Sequence, residues 1–548
     1  MKSIQKYFIL IIAVIVVVPI VIYMLLPSQR IYLEFSSVNF IVETYGWRVS
    51  RVIELNLKNI GSENVTIIGV KLNGEKWNLW SPKSLLIPPN SVGKLKVFYP
   101  WNGGNYKITI ETDKEERSID VSAPEFNGVK VTIQNPSGEI WKNLVTFDFT
   151  FAPNELQEPK LSVYEDNNPI ACQIWGVVKY EDGSVESASV SFITVIDPGE
   201  EKTYVIKLNE PPRMEVTNLN IERIDNRTII NNGVIKVRFN EDYRGEIDQV
   251  TDVDGKINYA KVFGIYKGST HVWQHGFLQT SVNTYIVSYT GEKRAYQMSI
   301  LTSDNYITYV ESNGPFLATY ARKWKLQSDF GWVYEFYAIP QNASLILYKT
   351  VFHVSGKWDV GPGPDPTGGW AYYNVYGTGY TGFPFLAIRH ASFFSTESAE
   401  VYFPDWPGED LWAKHSIAAC VNATYGVAVT KVADDPVLPM EYWHITVRRW
   451  PFSIVSAPEP GARDEDVWTD YVAIAGIPEG KLCYEGQDLS REPYIRERSI
   501  TLRGTITFDV GLYSWIYHIE IIVNRDIIGV LQEITRKYNG MRVLIERA

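Results

Sequence analysis

Cysteine is almost missing from this chain: Cys172, Cys420 and Cys483 are the only three in 548 residues. A disulfide-built scaffold is thereby excluded, and the wide separation of the three offers no zinc spacing. One disulfide with a thiol left over and three free thiols both fit. Basic charge is also short. Lys and Arg number 52 against 63 Asp and Glu, a net charge of −11, which excludes nucleic acid as a partner because that needs a basic face. There is no P-loop, no G-x-S-x-G and no zinc motif. Helix signals are few; the best is Asp526–Lys537, with Ile527, Ile528, Leu531 and Ile534 on one face and Asn539-Gly540 as its stop.

Only one long apolar run occurs. Tyr7–Leu26, YFILIIAVIVVVPIVIYMLL, carries no charge, and at about 1.5 Å per residue it matches the hydrocarbon core of a bilayer. Pro19 is tolerated in such a helix. Lys2 and Lys6 precede the run and keep the N-terminus cytoplasmic. A cleaved signal peptide needs a shorter apolar region and a small-x-small site, which Leu25–Arg30 lacks. The expectation is a single-pass cell-membrane protein, anchored through residues 1–29, with the bulk of the chain extracellular. Sequons at Asn64, Asn226, Asn342 and Asn422 suit a glycosylated exterior, while Asn135-Pro136-Ser137 is disqualified by its proline.

What the chain has in excess is aromatic residues: 17 Trp, 34 Tyr and 23 Phe, or 14%. It is also patterned almost throughout as strand. Ile53, Leu55 and Leu57 alternate with Glu54, Asn56 and Lys58; Ile68, Val70 and Leu72 repeat the pattern and run into Asn73-Gly74, a hairpin turn; Ile108 and Ile110 repeat it again. The fold class expected is an all-β multidomain ectodomain on one N-terminal transmembrane helix. Residues 30–124 read as a small β-sandwich that resembles the immunoglobulin-like modules of prokaryotic surface proteins.

Residues 125–215 read as a small β-barrel domain. Within it, residues 138–208 carry Pro153 and Leu156 after an opening strand, a Val163-Tyr164-Glu165-Asp166-Asn167 turn with Pro169, Asp182-Gly183-Ser184-Val185, and Pro198-Gly199-Glu200 before a closing strand. This stretch resembles the N-terminal barrel domain of the YetA-like exo-rhamnogalacturonan lyases, and departs from it where Tyr180-Glu181 replaces the usual Trp-Pro. Residues 216–548 open with Asn231-Asn232-Gly233, then Ile235, Val237 and Phe239 alternating with Lys236 and Arg238, an acidic turn at Glu241-Asp242 with Gly245, and Asp252-Val253-Asp254-Gly255. That opening resembles the large β-super-sandwich of the galactose mutarotase type, which several lyases and the C-terminal part of family 38 mannosidases share. The lyases use a helical toroid in catalysis, and nothing in this chain can build one. The resemblance therefore implies carbohydrate association more than lyase chemistry.

Chemistry has three candidate locations. In Gly361–Phe385, glycine and proline remove regular structure and leave Trp370, Tyr372, Tyr373, Tyr376 and Tyr380, whose ring faces suit sugar C–H groups. The alternative is a loop that packs its own aromatics. In Tyr402–His415, Asp405, Glu409 and Asp410 stand beside Trp406 and Trp412; paired carboxylates near an aromatic platform are what glycoside hydrolysis needs, although acidic turns are commonly just solvated. The histidines His271, His275, His390, His415 and His444 are the third set. His275, Arg389-His390 and Glu441 with His444 offer the His–Glu acid–base pair that a mutarotase-like site implies, and Arg389, Arg448 and Arg449 offer neutralisation of a uronate. His353, inside a strand, reads as structural. No metal site is expected, because Asp248, Asp252 and Asp254-Gly255 lack the full calcium-loop spacing. The cofactor is unknown.

Two functions fit these features. The first is a membrane-anchored extracellular protein that binds or processes a polysaccharide or surface glycan, as a polysaccharide lyase or glycoside hydrolase if it is an enzyme. The second is a non-enzymatic structural component of a cell envelope or filament, with a surface-protein assembly as its partner. The first demands a concave groove with convergent polar groups, the second extended contact surfaces or strand edges.

Overall fold

The computed structural model describes residues 32–213, 219–255, 278–280, 282–287, 293–298, 300, 303–326, 329–361, 386–389, 400–402, 412–413, 417–421, 426–451, 468–478, 487–488, 498–499, 506–522, 529, 533 and 542–548. They are nearly all β. Among them, helical geometry is confined to a 3-10 turn at Glu241–Tyr243, Asp329, and two α-helical residues, Gly529 and Glu533. The apolar run Tyr7–Leu26 lies outside the described residues, as does most of Asp526–Lys537; among the described residues, no helix is long and apolar enough to cross a membrane.

The chain forms two compact units. The smaller takes in residues up to Phe40 with Ile53–Val97 and Gly103–Pro124; the larger takes in Ile41–Val52, Phe98–Asn102 and everything from Glu125. In the smaller, strand Val65–Leu72 pairs with Glu75–Trp77, Leu86–Ile87 and Asn105–Thr112, and the last pairs onward with Glu116–Ser122. Asn73 and Gly74, both with positive φ, make the two-residue turn that joins Leu72 to Glu75. Ile53, Leu55, Leu57, Ile108 and Ile110 are all buried. Ile68 is the exception to the alternation. The register with Asn105–Thr112 slips between Ile67 and Gly69, so Ile68 is the extra residue of a bulge and stands 60% exposed between buried Ile67 and Val70.

The larger unit is built from stacked sheets. One orders Gln173–Lys179, Val185–Ile196 and Trp141–Thr150, the last meeting Arg48-Val49 in parallel. A second orders Asn168–Ile170, Leu161–Glu165, Glu201–Leu208, Gly128–Gln134 and the chain's last strand, Arg542–Arg547. Apolar side chains fill the space between these two sheets, with Phe192 4.8 Å from Tyr204 and stacked on Phe147. Sequence order is thus no guide to neighbourhood, because the C-terminal strand completes a sheet begun some 400 residues earlier.

The largest sheet has eight strands. Its centre runs Tyr306–Asn313, Leu317–Lys325, Gly331–Pro340, Leu345–Val354, Gly511–Ile522 and Gly426–Ala433, all antiparallel. Both faces of its middle strands are buried, so their sequences read as near-continuous apolar runs rather than alternating ones. One face is covered by the sheet of Asn220–Asp252. There Phe239 stacks on Tyr320 at 3.9 Å, and Arg322, wholly buried, bridges Glu246 and Glu335 at 2.9 Å each. Gly245, at φ +73, lies against the Tyr320 hydroxyl, where a Cβ would sit 2.4 Å away. The other face carries Lys349 and meets the sheet that contains Trp141–Thr150 and Val185–Ile196. That seam holds the site.

Candidate functional site

The seam between the two sheets is polar where a β-sandwich is ordinarily oily. At its middle, the Lys349 ammonium is fully buried and donates to Asp148 Oδ1 and the Gly176 carbonyl at 2.8 Å each, and to Ser187 Oγ and Ser189 Oγ at 3.0 and 3.2 Å. Asp148 also accepts from Ser189 Oγ at 2.8 Å and Ser514 Oγ at 3.2 Å. Arg48 lies 3.6 Å from Asp148 and 3.9 Å from Asp435. Burial pulls the Lys349 ammonium below its ordinary range and pushes the Asp435 carboxyl up, against Arg48 and three backbone N–H groups that hold it down. Glu311, also pushed up by burial, accepts from the Gly176 and Val177 amides at 2.8 and 2.7 Å.

At one end the seam opens into a cleft of about 460 Å³. Lys142, Leu144 and Ile193 come from one sheet, and Ser344, His518 and Glu520 from the other. The turn 340–343 forms a wall. Asn232 holds that turn: its Nδ2 donates to the Pro340 and Ala343 carbonyls at 2.6 and 2.7 Å, while its Oδ1 accepts from the Val234 and Ile235 amides. The Asn231-Asn232-Gly233 sequence thus has a concrete task, with Gly233 at φ +94 beside Asn342.

Inside the cleft, His518 and Glu520 are alternate residues of one strand and share a face. His518 Nε2 lies 3.0 Å from Glu520 Oε2, and Ser344 Oγ donates a short hydrogen bond to Glu520 Oε1. The carboxylate lies between the hydroxyl and the imidazole, so this is not a nucleophile triad, in which the imidazole would touch the hydroxyl. The set supplies a carboxylate acceptor and an imidazole, with the Lys142 cation and the Glu533 carboxylate also lining the cleft. Such mixed donors and acceptors, beside Phe316 and a few apolar side chains, suit a polar uncharged ligand.

The candidates read from sequence lie elsewhere. Asp405, Glu409, His275, His390, Trp370, Tyr372, Tyr373, Tyr380, Trp406 and Asn422 fall outside the described residues. Arg389, Glu441, His444 and Trp412 have a described backbone and share one five-stranded sheet. His444 pairs with Trp412 on one side and Ala475 on the other; Arg389 pairs with Ala473, which pairs with Thr446, two residues from His444. Glu441 occupies the bulge between Met440 and Tyr442. Asn64, Asn226 and Asn342 are exposed. Among the described residues no cluster of three or more His, Cys, Asp or Glu could hold a metal. Sequence reasoning missed His518 and Glu520. Their signal was two polar residues at alternate positions in an apolar strand, YHIEI.

The fold defines a nearly all-β chain of stacked sheets. It is similar to a protein in glycosyl hydrolase family 38 from Enterococcus faecalis, at a TM-score of 0.38 and 10% sequence identity over 76% of this chain and 47% of that one. It is also similar to an α-mannosidase from Enterococcus faecalis V583, at a TM-score of 0.37 and 11% identity over 77% of this chain and 46% of that one. The chain spans about half the length of either. No family profile and no curated protein matches the sequence.

Proposed function

We propose that the chain is a membrane-tethered extracellular protein that binds or processes glycan, and that the cleft at Ser344, His518 and Glu520 receives the sugar. The observation that carries this reading is the cleft itself: about 460 Å³, lined from both sheets by convergent donors and acceptors. The ectodomain is read as an immunoglobulin-like module, a small barrel and a galactose mutarotase-like super-sandwich in series. Tethering rests on the uncharged Tyr7–Leu26 run behind Lys2 and Lys6. Exposed sequons at Asn64, Asn226 and Asn342 fit an exterior location.

The test is incubation of the full-length chain in detergent with neutral and acidic polysaccharides, with products read by mass spectrometry and binding by calorimetry. Hydrated fragments identify a hydrolase, unsaturated fragments a lyase, and binding without products a lectin-like role. In each case Glu520→Gln should weaken the effect at least tenfold, the scale of one hydrogen bond to a charged group, about 1.5–3 kcal/mol. A chain that neither binds nor cleaves any member of the panel sinks the reading. A second reading, assembly into a surface structure, is favoured by one feature: among the described residues strand Arg542–Arg547 is the last of its sheet, with Leu544 54% exposed.

A further inference from the structure

The opposite end of the same seam carries a second group of side chains. Strands Leu317–Lys325, Gly331–Pro340 and Leu345–Val354 lie side by side there, with Lys323 opposite Tyr334 and Trp332 opposite His353. Lys323, Trp332 and His353 are half-buried, and Tyr334 is buried beneath them. The Lys323 ammonium stands 4.4 Å from the Trp332 ring centroid and 5.0 Å from that of Tyr334, with no acidic partner among the described residues. Glu186 arrives from the facing sheet. Its Oε1 lies 3.7 Å from His353 Nε2, its side chain is 9% exposed, and its Oε2 is buried without a hydrogen-bond partner.

A buried carboxyl and an ammonium thus flank an aromatic face, and neither is satisfied by the other. A buried oxygen left without a partner costs about 1–3 kcal/mol, and native proteins rarely carry one without a reason. A cation held only by ring faces keeps its hydrogen-bond donors available. The ligand that answers both is one that donates to a carboxyl, accepts from an ammonium and lays C–H groups on an indole. Sugar hydroxyls do the first two at neighbouring ring positions, and a pyranose face does the third.

We propose that Glu186, Lys323 and Trp332 form a second saccharide-binding site for a pyranose unit, at the end of the seam opposite the cleft. It rests on the reading of the protein as glycan-binding but names a different place. Burial pushes the Glu186 carboxyl up to about 8, so at neutral pH it offers a proton as well as a lone pair, both of which a sugar hydroxyl can meet. His353, held neutral by burial and by Lys323, adds no competing charge.

The experiment is calorimetric titration of the full-length chain with methyl glycosides of glucose, galactose and mannose, and with their oligomers. The variants are Trp332→Ala, Lys323→Gln and Glu186→Leu, with Glu520→Gln as the cleft variant. The expected result is a two-site isotherm from the parent. Each seam-end variant should weaken one site about tenfold or more, equivalent to about 1.4 kcal/mol, and Glu520→Gln should weaken only the other. Lys323→Gln is half-exposed and keeps the fold testable if Trp332→Ala disturbs it; near-ultraviolet dichroism checks both. If Lys323→Gln and Glu186→Leu bind like the parent while Glu520→Gln does not, the second site is overturned and the cleft reading stands. If the parent binds no saccharide, both fall together.

Discussion

Lys349→Met is the most informative perturbation of the seam. The substitution keeps the apolar stem and removes the ammonium, which is wholly buried and has four acceptors within hydrogen-bond distance of its three N–H groups. Asp148 is left with the hydroxyls of Ser189 and Ser514 and with Arg48 at 3.6 Å. Breaking a buried pair costs about 3–5 kcal/mol, and because Arg48 and two hydroxyls stay beside the carboxylate the cost here is expected at the lower end. The cost comes from the carboxylate that has lost its ammonium, so removing that charge as well should return much of it. Lys349→Met/Asp148→Asn is therefore expected to be more stable than the sum of the two single changes by at least about 2 kcal/mol. Urea unfolding followed by near-ultraviolet dichroism measures all three variants, with Lys76→Met as a solvent-exposed control that should leave the transition unmoved. A Lys349→Met protein as stable as the parent, or a strictly additive double variant, would refute the claim that the ion pair sets the seam.

Three further outcomes are expected. Glu186 has a folded pKa of about 8 against an ordinary 4.5. Because the folded value is raised, its contribution is fully present below about pH 4.5 and is lost as pH rises through 8. At about 1.4 kcal/mol per unit this approaches 5 kcal/mol. Glu186→Gln should thus flatten the fall in stability between those pH values, with His353, Tyr334, Tyr180, Lys323 and Glu181 the neighbouring groups that titrate or carry charge; parallel pH curves for parent and variant would defeat it. Arg322→Met should cost about 3–5 kcal/mol by removing the guanidinium that bridges the buried carboxylates of Glu246 and Glu335, read by the same unfolding assay. Cys172 is fully buried and its thiol is pushed up to about 11 by burial, so its peptide should stay unalkylated by iodoacetamide at pH 8 until urea unfolds the chain.

Much of the strand pattern was legible because alternation records a half-buried strand directly: Ile53, Leu55 and Leu57 are buried where the pattern puts them, and Asn73-Gly74 turns as its φ values require. Ile68 was misread because a bulge shifts facing by one residue, and nothing local in the sequence announces it. The site was less legible for a different reason. Glu520 meets Ser344 across 176 positions, and Lys349 meets Asp148 across 201. A residue-by-residue reading sees His353 as one polar residue inside a strand and Lys349 as a charge in an apolar run. It has no means of knowing that a second sheet brings Glu186 to the one and Asp148 to the other. Sequence reading looked instead to regions dense in aromatics and acids, most of which fall outside the described residues.

The charged layer in the seam raises the question of why an apolar one would not serve. Replacing a buried ion pair with apolar side chains of similar volume is often neutral or stabilising, so stability alone does not account for Lys349 and Asp148. Apolar faces resist separation but tolerate sliding. Hydrogen bonds of 2.8–3.2 Å from one ammonium to four acceptors on the facing sheet do not. Both ends of the seam need that fixed register, because each draws residues from both sheets: Lys142 and Ile193 with His518 and Glu520 at the cleft, and Glu186 with His353 at the other end. The layer therefore acts as a positioning device for two places that it does not touch. Lys349→Met/Asp148→Asn removes the directional bonds while sparing every proposed ligand contact. It should lower saccharide affinity at both ends while leaving unfolding cooperative. Unchanged affinity at both sites in a folded double variant would mean that apolar packing alone sets the register, and that the ion pair has no part in positioning either site.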